Sequence, residues 1–371
     1  MPDPRVSMRY MPHARWGTRV AAVALALLLS ACASVLLPGE NSSGSGNGNG
    51  NGNTDTMSSA QMRTASDELR QMVALQDRLY MVAAPLLIIN ADLCKTQARS
   101  LLGFTAKNKF SFPGDYAEAA QAVLGYDDRL QVSNVLAGSG AARAGLREGD
   151  GLISAEGQPL PTGPGAETGA AGVLGPLLRK RSTLKMTIAR GQEEMVLNVP
   201  ITRTCAFRIE LGNADNINSY ADGQRVMLTR GMINFTRNNT EIAYVMAKDM
   251  AHNILEHPSK QNSSATLAGI IDNLASVHPD LSMLIGSAGI KVMPQQRDAD
   301  ADSLALYLLA RAGYDINQVA PFWQRLASAY PASMMNSYTA NHPDIAYRVT
   351  AIDATVAEIK SKQASREPLQ P

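Results

Sequence analysis

The residue types with most to offer chemically lie in the second half of the chain, at Lys248-Asp249-Met250-Ala251-His252. From Thr240 to His257 the apolar residues Ile242, Val245, Met246 and Ile254 recur three and four apart, which predicts a helix. Residues four apart on a helix share one face. In the H-E-x-x-H pattern that face carries two imidazoles gripping zinc, and the Glu beside the first acts as general base. Here His252 occupies the second imidazole position, Lys248 stands at the first and Asp249 at the base position. A protonated Lys has three donors and no lone pair, and its reference pKa of ~10.4 must fall far before it can coordinate a metal. Asp for Glu withdraws a carboxylate by one methylene, and ~1 Å of misplacement can cost about a hundredfold in rate.

A second acidic element follows at Asp298-Ala299-Asp300-Ala301-Asp302, which runs into the apolar stretch Leu304 to Ala312 and stops at Gly313-Tyr314-Asp315. Asn341-His342-Pro343-Asp344 and Arg348 come later. Two chemistries are open to these residues. His252, Asp249, Asp298 and His342 supply three or four N and O ligands, enough in principle to hold a metal. Alternatively, the Lys248 ammonium stands where a cation would stand and pairs with Asp298, with Asp249 also within reach. His257 offers no simple substitute ligand: five residues beyond His252, it diverges by about 140° on a continuing helix. His278, before Pro279, reads as a loop or cap residue. No G-x-S-x-G motif marks a serine nucleophile.

Other elements must position these groups. Met62 to Tyr80, Gln318 to Ala329 and Ile345 to Lys360 have helical spacing and read as packing helices. The chain has 371 residues, 34 Lys+Arg against 33 Asp+Glu, and 45 % hydrophobic residues. That length accommodates about two domains. Balanced charge leaves no basic excess to collect phosphates, which argues against a nucleic-acid partner.

At the N-terminus, Arg5, Arg9, Arg15 and Arg19 precede the apolar run Val20 to Leu29, and Ser30-Ala31-Cys32 follows. The run is too short to span ~30 Å of hydrocarbon but suits a secretory signal. Leu29-Ser30-Ala31-Cys32 resembles a bacterial lipobox, so residues 1–31 are read as a lipoprotein signal peptide and Cys32 as the lipidated residue, with a lipid anchor in the membrane. By resemblance to sorted lipoproteins, Ala33 after it favours the periplasmic face of a bacterial outer membrane over the inner membrane. Residues 32–59 form the anchor and a flexible tether, with Gly and Asn alternating up to Asn53. Cys94 and Cys205 then remain as an even pair in an oxidising compartment. They form either a bridge around about 110 residues, worth up to ~4–5 kcal/mol, or two buried thiols.

Between those cysteines, Leu130 to Val135 alternates, the Gly- and Ala-rich stretch Ala137 to Leu146 follows, and Gly149 to Ile153 leads to a turn at Gly157. Strands at Leu184–Ile188 and Glu194–Val199 follow. Pro159 to Gly172, rich in Gly and Pro, is expected to be a loop. The order resembles a bacterial PDZ domain over residues 120–200. The resemblance implies that Leu124, Gly125 and Tyr126 form the loop whose N–H groups receive a peptide C-terminus at a sheet edge.

The C-terminal half resembles the HtpX-like gluzincin metallopeptidases, family forty-eight of the metallo class. Asn218 to Met232 is similar to the hairpin beside their active helix, and Asp298 to Asp315 to their third-ligand helix. Asn341-His342-Pro343 with Arg348 is similar to their late T-H-P element. The resemblance runs from about residue 64 to 358. It implies zinc as cofactor and a ligand set in which His252 is retained, Asp298 replaces a Glu and Lys248 replaces a His. Asp249 then takes the base position, Asp302 orients neighbouring groups and His342 faces the site. It also places Cys94 and Cys205 where lipoprotein members with an inserted PDZ domain have theirs.

The expected fold is α+β: a mainly helical gluzincin-type domain with an inserted PDZ-like β module. Its pieces are 60–119, the insert 120–200, 201–360 and a polar tail 361–371. The implied role is quality control of unfolded or misassembled envelope proteins. The weakened motif favours a pseudopeptidase that binds or regulates, and the alternative is an active zinc endopeptidase using His252, Asp298 and a third ligand.

Overall fold

The computed structural model describes residues 58–112, 115–257, 292–334 and 337–371. The signal peptide, Cys32, the tether and His278 lie outside the described residues, apart from the last two residues of the tether.

Helix α1 (Ser59–Ile89) opens on a capping box in which Ser58 and Gln61 bond each other's backbone. Its front half, with Leu69, packs with α2 (Asp115–Leu124), and its rear half, Leu79 to Leu87, enters the main core. Strand β1 (Ala98–Leu101) then pairs antiparallel with β8 (Thr202–Cys205), so the chain enters and leaves the insert side by side. Cys94 and Cys205 are disulfide-bonded at that junction, 111 residues apart in sequence.

The insert is an antiparallel sheet in the order β2 (Phe104–Lys107), β3 (Gln131–Val135), β4 (Gly151–Ala155), β6 (Thr183–Arg190), β7 (Glu193–Pro200), with β5 (Gln158–Pro159) folded back on β4. Helix α3 (Gly140–Arg143) is capped by the Ser139 hydroxyl. Helix α4 (Ala166–Lys180) places Ala170, Leu174 and Leu178 in the module's own core with Leu130, Met186 and Ile188. The expected loop over Pro159 to Gly172 is therefore only partly a loop. Gly165, at φ +75°, starts α4, and its alanines allow the close packing that the Gly and Pro content concealed. A boundary at residue 120 also cuts through the structure: β2, from before it, is a module strand, while Leu124 and Tyr126, from after it, join the cluster on α1.

Past the insert, β9 (Arg208–Gly212) pairs parallel with β11 (Arg225–Thr229), and β10 (Ser219–Ala221) pairs antiparallel with β11 at the sheet edge. The remaining elements are helical: α5 (Arg230–Phe235), α6 (Asn239–Ile254), α7 (Gln295–Arg311), α8 (Val319–Ala329), α9 (Tyr338–Asn341) and α10 (Ile345–Ser365). Every residue of α6 from Ile242 to Asn253 is buried, as befits a helix enclosed on all sides. The architecture is the expected α+β one with an inserted β module.

Candidate functional site

Two i, i+4 pairs meet where α6 packs on α7. Asn238 caps α6 by accepting from the Glu241 N–H, and the helix then presents Lys248 and His252 on one face. Helix α7 presents Asp298 and Asp302 in the same spacing. A turn at Ser337 to Pro343 brings in His342, and the first turn of α10 brings in Arg348. All of these side chains are buried.

Lys248 Nζ lies 2.6 Å from Asp298 Oδ1 and 2.8 Å from Asp302 Oδ1, and it donates to the Asp298 backbone carbonyl at 2.7 Å. Three acceptors thus face the three hydrogens of an ammonium. Arg348 grips Asp302 with two bonds, Nε to Oδ2 at 2.7 Å and Nη2 to Oδ1 at 3.0 Å. Its guanidinium lies 4.5 Å over the Trp323 ring. His342 Nδ1 is 2.8 Å from Asp298 Oδ1, and His252 Nε2 is 3.4 Å from the same oxygen. Tyr338 stacks between Trp323 and His342.

The charges set the chemistry. Burial pushes the Asp298 carboxyl up, but His342, Lys248 and Arg348 outweigh burial and hold it well below the usual range. Asp302 is likewise held low, by Arg348 and Lys248 against burial. Burial, and then Arg348, draw the Lys248 amine below its ordinary value, with the two aspartates opposing. Burial pulls His252 down to about 3, so its ring is neutral at pH 7. Asp249 is pushed up to about 7 by burial, tempered by Ser219 on β10 and by Lys248. Lys248 and Arg348 thus stand against Asp298 and Asp302, beside a neutral His252.

Several expectations change here. Lys248 pairs with Asp298 and Asp302; Asp249, one position along the helix, has one carboxylate oxygen buried without a partner. Asp302 holds charges together as well as orienting them. His257, expected to diverge, returns to 3.0 Å between its Nδ1 and that of His252, because α6 ends and Glu256 turns the chain at φ +57°. The Gly125 carbonyl accepts from Nε2 of Gln131, the first residue of β3, at 3.2 Å. Leu124 closes α2, Gly125 turns at φ +73°, the Tyr126 N–H donates to the Ala120 carbonyl at 3.4 Å, and the Tyr126 ring lies 5.5 Å from Phe112. Sequence reasoning noted Arg348 but gave it no role. It lies in the buried stripe Arg348, Ile352, Thr355 and Ile359 of α10, and a charge in such a stripe signals a buried partner.

The donor atoms of His252, Asp298 and His342 lie within 4.8 Å of one another and could together hold a metal ion. His252 Nε2 is also buried without a hydrogen-bond partner among the described residues. Yet a dication there would share the Asp298 carboxylate with the Lys248 amine, 2.6 Å from Oδ1, inside a cluster that already holds the Arg348 guanidinium. As the side chains stand, the site does not fit zinc.

The sequence matches the model of peptidase family M48 over residues 184–356. It is 24% identical over 190 residues to the beta-barrel assembly-enhancing protease of Yersinia pestis, covering 47% of this chain and 38% of that protein. The protein of that name from Escherichia coli K12 is 24% identical over 179 residues, 44% of this chain and 36% of the relative. The mitochondrial metalloendopeptidase OMA1 of Schizosaccharomyces pombe is 21% identical over 151 residues, 39% of this chain and 45% of that protein. The chain thus spans little more than a third of the bacterial relatives. Among solved structures, the HtrA3 PDZ domain bound to a phage-derived ligand is similar at 15% identity and a TM-score of 0.21, covering 29% of this chain and 88% of that one. The family match covers the hairpin, both site helices and the late His-Pro turn, and the relatives agree with it: residues 184–356 are similar to the M48 metallopeptidases.

Proposed function

We propose that this chain is an envelope-facing lipoprotein whose metallopeptidase site has become a metal-free binding or regulatory centre. The observation that carries the reading is Lys248: its ammonium meets Asp298 Oδ1, Asp302 Oδ1 and the Asp298 carbonyl at 2.6, 2.8 and 2.7 Å. That nitrogen holds the acids together as a cation would, at the position where the family pattern has a ligand. Asp249 carries a side chain one methylene shorter than the Glu of the family pattern, which withdraws its carboxylate from the general-base position. Clients on this reading are unfolded or misassembled envelope proteins, whose extended segments and chain ends dock on the inserted module. The names of the bacterial relatives support an envelope role, and the basic and apolar N-terminus ending in Cys32 supports a lipid anchor.

A second reading keeps the enzyme. His252, Asp298 and His342 would be the ligands, on the strength of their clustered donor atoms. They would hold zinc only if Lys248 gave up its proton or moved away.

Elemental mass spectrometry on the full chain, purified without chelator, separates the two. The proposal expects no zinc after incubation with excess metal. It further expects Lys248→His with Asp249→Glu to gain both zinc and cleavage of casein. About one zinc per wild-type chain, lost in His252→Ala, would establish the enzyme reading instead.

A further inference from the structure

Helix α1 reaches the inserted module through one stripe of side chains. Met72, Gln76, Asp77 and Tyr80, together with Phe112 and Tyr126, wall a mostly apolar cavity of about 40 Å³. In that wall, Asp77 Oδ1 lies 3.4 Å from Asn134 Nδ2 on β3. The same amide nitrogen lies 3.4 Å from Glu148 Oε1, in the loop before β4. One amide with two hydrogens is thus held between a carboxylate of α1 and a carboxylate of the module. Asn134 is buried and Glu148 is exposed.

Two acids drawn to one donor repel each other. The other titratable groups facing Asp77 are Lys107, Tyr80 and Tyr126, in the same wall. Lys107 Nζ is 5.6 Å from the centre of the Phe112 ring, and burial, then Asp77, push the Tyr126 hydroxyl well above its ordinary value. The junction also touches the framework of the site. The Gln76 amide donates to the Ile209 carbonyl at 3.4 Å and accepts from the Leu211 N–H at 3.2 Å. It thereby closes the free edge of β9, which pairs with β11.

We propose that Asp77, Asn134 and Glu148 form an acid-tightened clasp between α1 and the inserted module, in which one proton removes the repulsion between two carboxylates. The proposal is independent of whether the peptidase site binds metal. Burial first, and Glu148 second, push the Asp77 carboxyl up to about 6 against the opposing Asn134 bond. A raised pKa means that the docked junction binds the proton more tightly than the opened one. Docking strengthens as pH falls through 6 and weakens above it. With 3.8 for the opened state and about 6 for the docked one, the opening equilibrium is about tenfold larger at pH 7 than at pH 5.

Hydrogen–deuterium exchange on the full chain tests the clasp. Exchange of the amides of residues 72–80 and 131–135 is compared at pH 5 and 7 after correction for intrinsic rates, with β6 and β7 as internal reference. The wild type should open about tenfold more often at pH 7. Asp77→Asn should open rarely at both pH values, and Glu148→Gln, on the exposed loop, should show a smaller step. A wild type without the step, an Asp77→Asn chain that keeps it, or a Glu148→Gln chain with the full step each overturns the proposal.

Discussion

Replacing Lys248 by Met keeps the side chain's length and removes its charge, which isolates what the ammonium does. In the native cluster Lys248 and Arg348 balance Asp298 and Asp302. The variant leaves a buried net charge of −1 and takes from Asp298 the cation at 2.6 Å. The nearest remaining positive atom is Arg348 Nε, 3.7 Å from the other Asp298 oxygen. Removing one partner from a buried ion pair costs ~3–5 kcal/mol, because the other charge is left buried and unmatched. Unfolding entropy is ~2.1 cal/mol/K per residue, so for a folded body of about 300 residues this is a fall of roughly 5–8 °C in melting temperature. Scanning calorimetry on the mature chain reads it directly. The double variant Lys248→Met with Asp298→Asn should recover part of the loss, since it removes the stranded charge as well. Zinc supplies an independent arm. It should leave the wild type unmoved but stabilise Lys248→His by ~2.7 kcal/mol at a concentration 100 times the Kd. A Lys248→Met protein that melts within a degree or two of wild type would refute the reasoning, because a charge that holds two carboxylates together cannot be removed without consequence.

Three further predictions are independent of that one. Asp249 has its pKa raised from 3.8 to about 7 in the fold, so native stability falls as pH rises through that range; Asp249→Asn should stabilise the protein by up to ~4 kcal/mol at pH 8 and by little at pH 4, measured as the difference in melting temperature. Cys205→Ser opens a bridge spanning 111 residues and should cost up to ~4–5 kcal/mol on the chain-entropy model; dithiothreitol should lower the wild-type melting temperature by the same amount and leave the variant unchanged. Gly231→Ala would bring a Cβ to 2.2 Å from the Asp215 carbonyl oxygen and 2.5 Å from that of Asn216; because both atoms are backbone, urea unfolding should show a loss of about 1–3 kcal/mol.

Much of the site was legible because helical spacing converts sequence into geometry. Lys248 with His252, and Asp298 with Asp302, are four apart, so each pair had to share a face once its helix formed. Gly231, inside the hairpin motif, is explained by the carbonyls pressed against its α-carbon. What stayed hidden depended on tertiary choices. That Lys248 prefers Asp302 to Asp249 is decided by how α6 and α7 face each other, which no spacing within α6 can reveal. His257 returns to His252 through one residue of left-handed backbone at Glu256, a conformation uncommon outside glycine. Tyr126 and Leu124 carried a pattern suited to a peptide loop, yet the apolar face of α1 recruited them into packing. Helix α4 was masked by residues that oppose helices locally, Gly169, Gly172 and Pro176, and are overridden by burial of Ala170, Leu174 and Leu178.

The type of residue at position 248 discriminates between a damaged peptidase and a rebuilt site. A neutral side chain there would leave Asp298 and Asp302 facing Arg348 alone, one buried negative charge too many. Zinc with a histidine at 248 would instead supply two positive charges where the present cluster has one. Lysine is the single common side chain that reaches Asp298 and Asp302 at once, supplies one positive charge and has three donors for the three acceptors at 2.6 to 2.8 Å. Arginine is longer and planar, and its five donors would exceed the acceptors at that point. Lys248 and Arg348 therefore meet the two acids with matching cations, while Asp298 Oδ2 and Arg348 Nη1 stay buried without a hydrogen-bond partner among the described residues. For that reason the double substitution Lys248→His with Asp249→Glu is the decisive change: it removes the one residue that makes metal unnecessary and restores reach to the carboxylate beside it. Zinc uptake without cleavage by that variant would mean that the rest of the cleft, in addition to the motif, has been given over to binding.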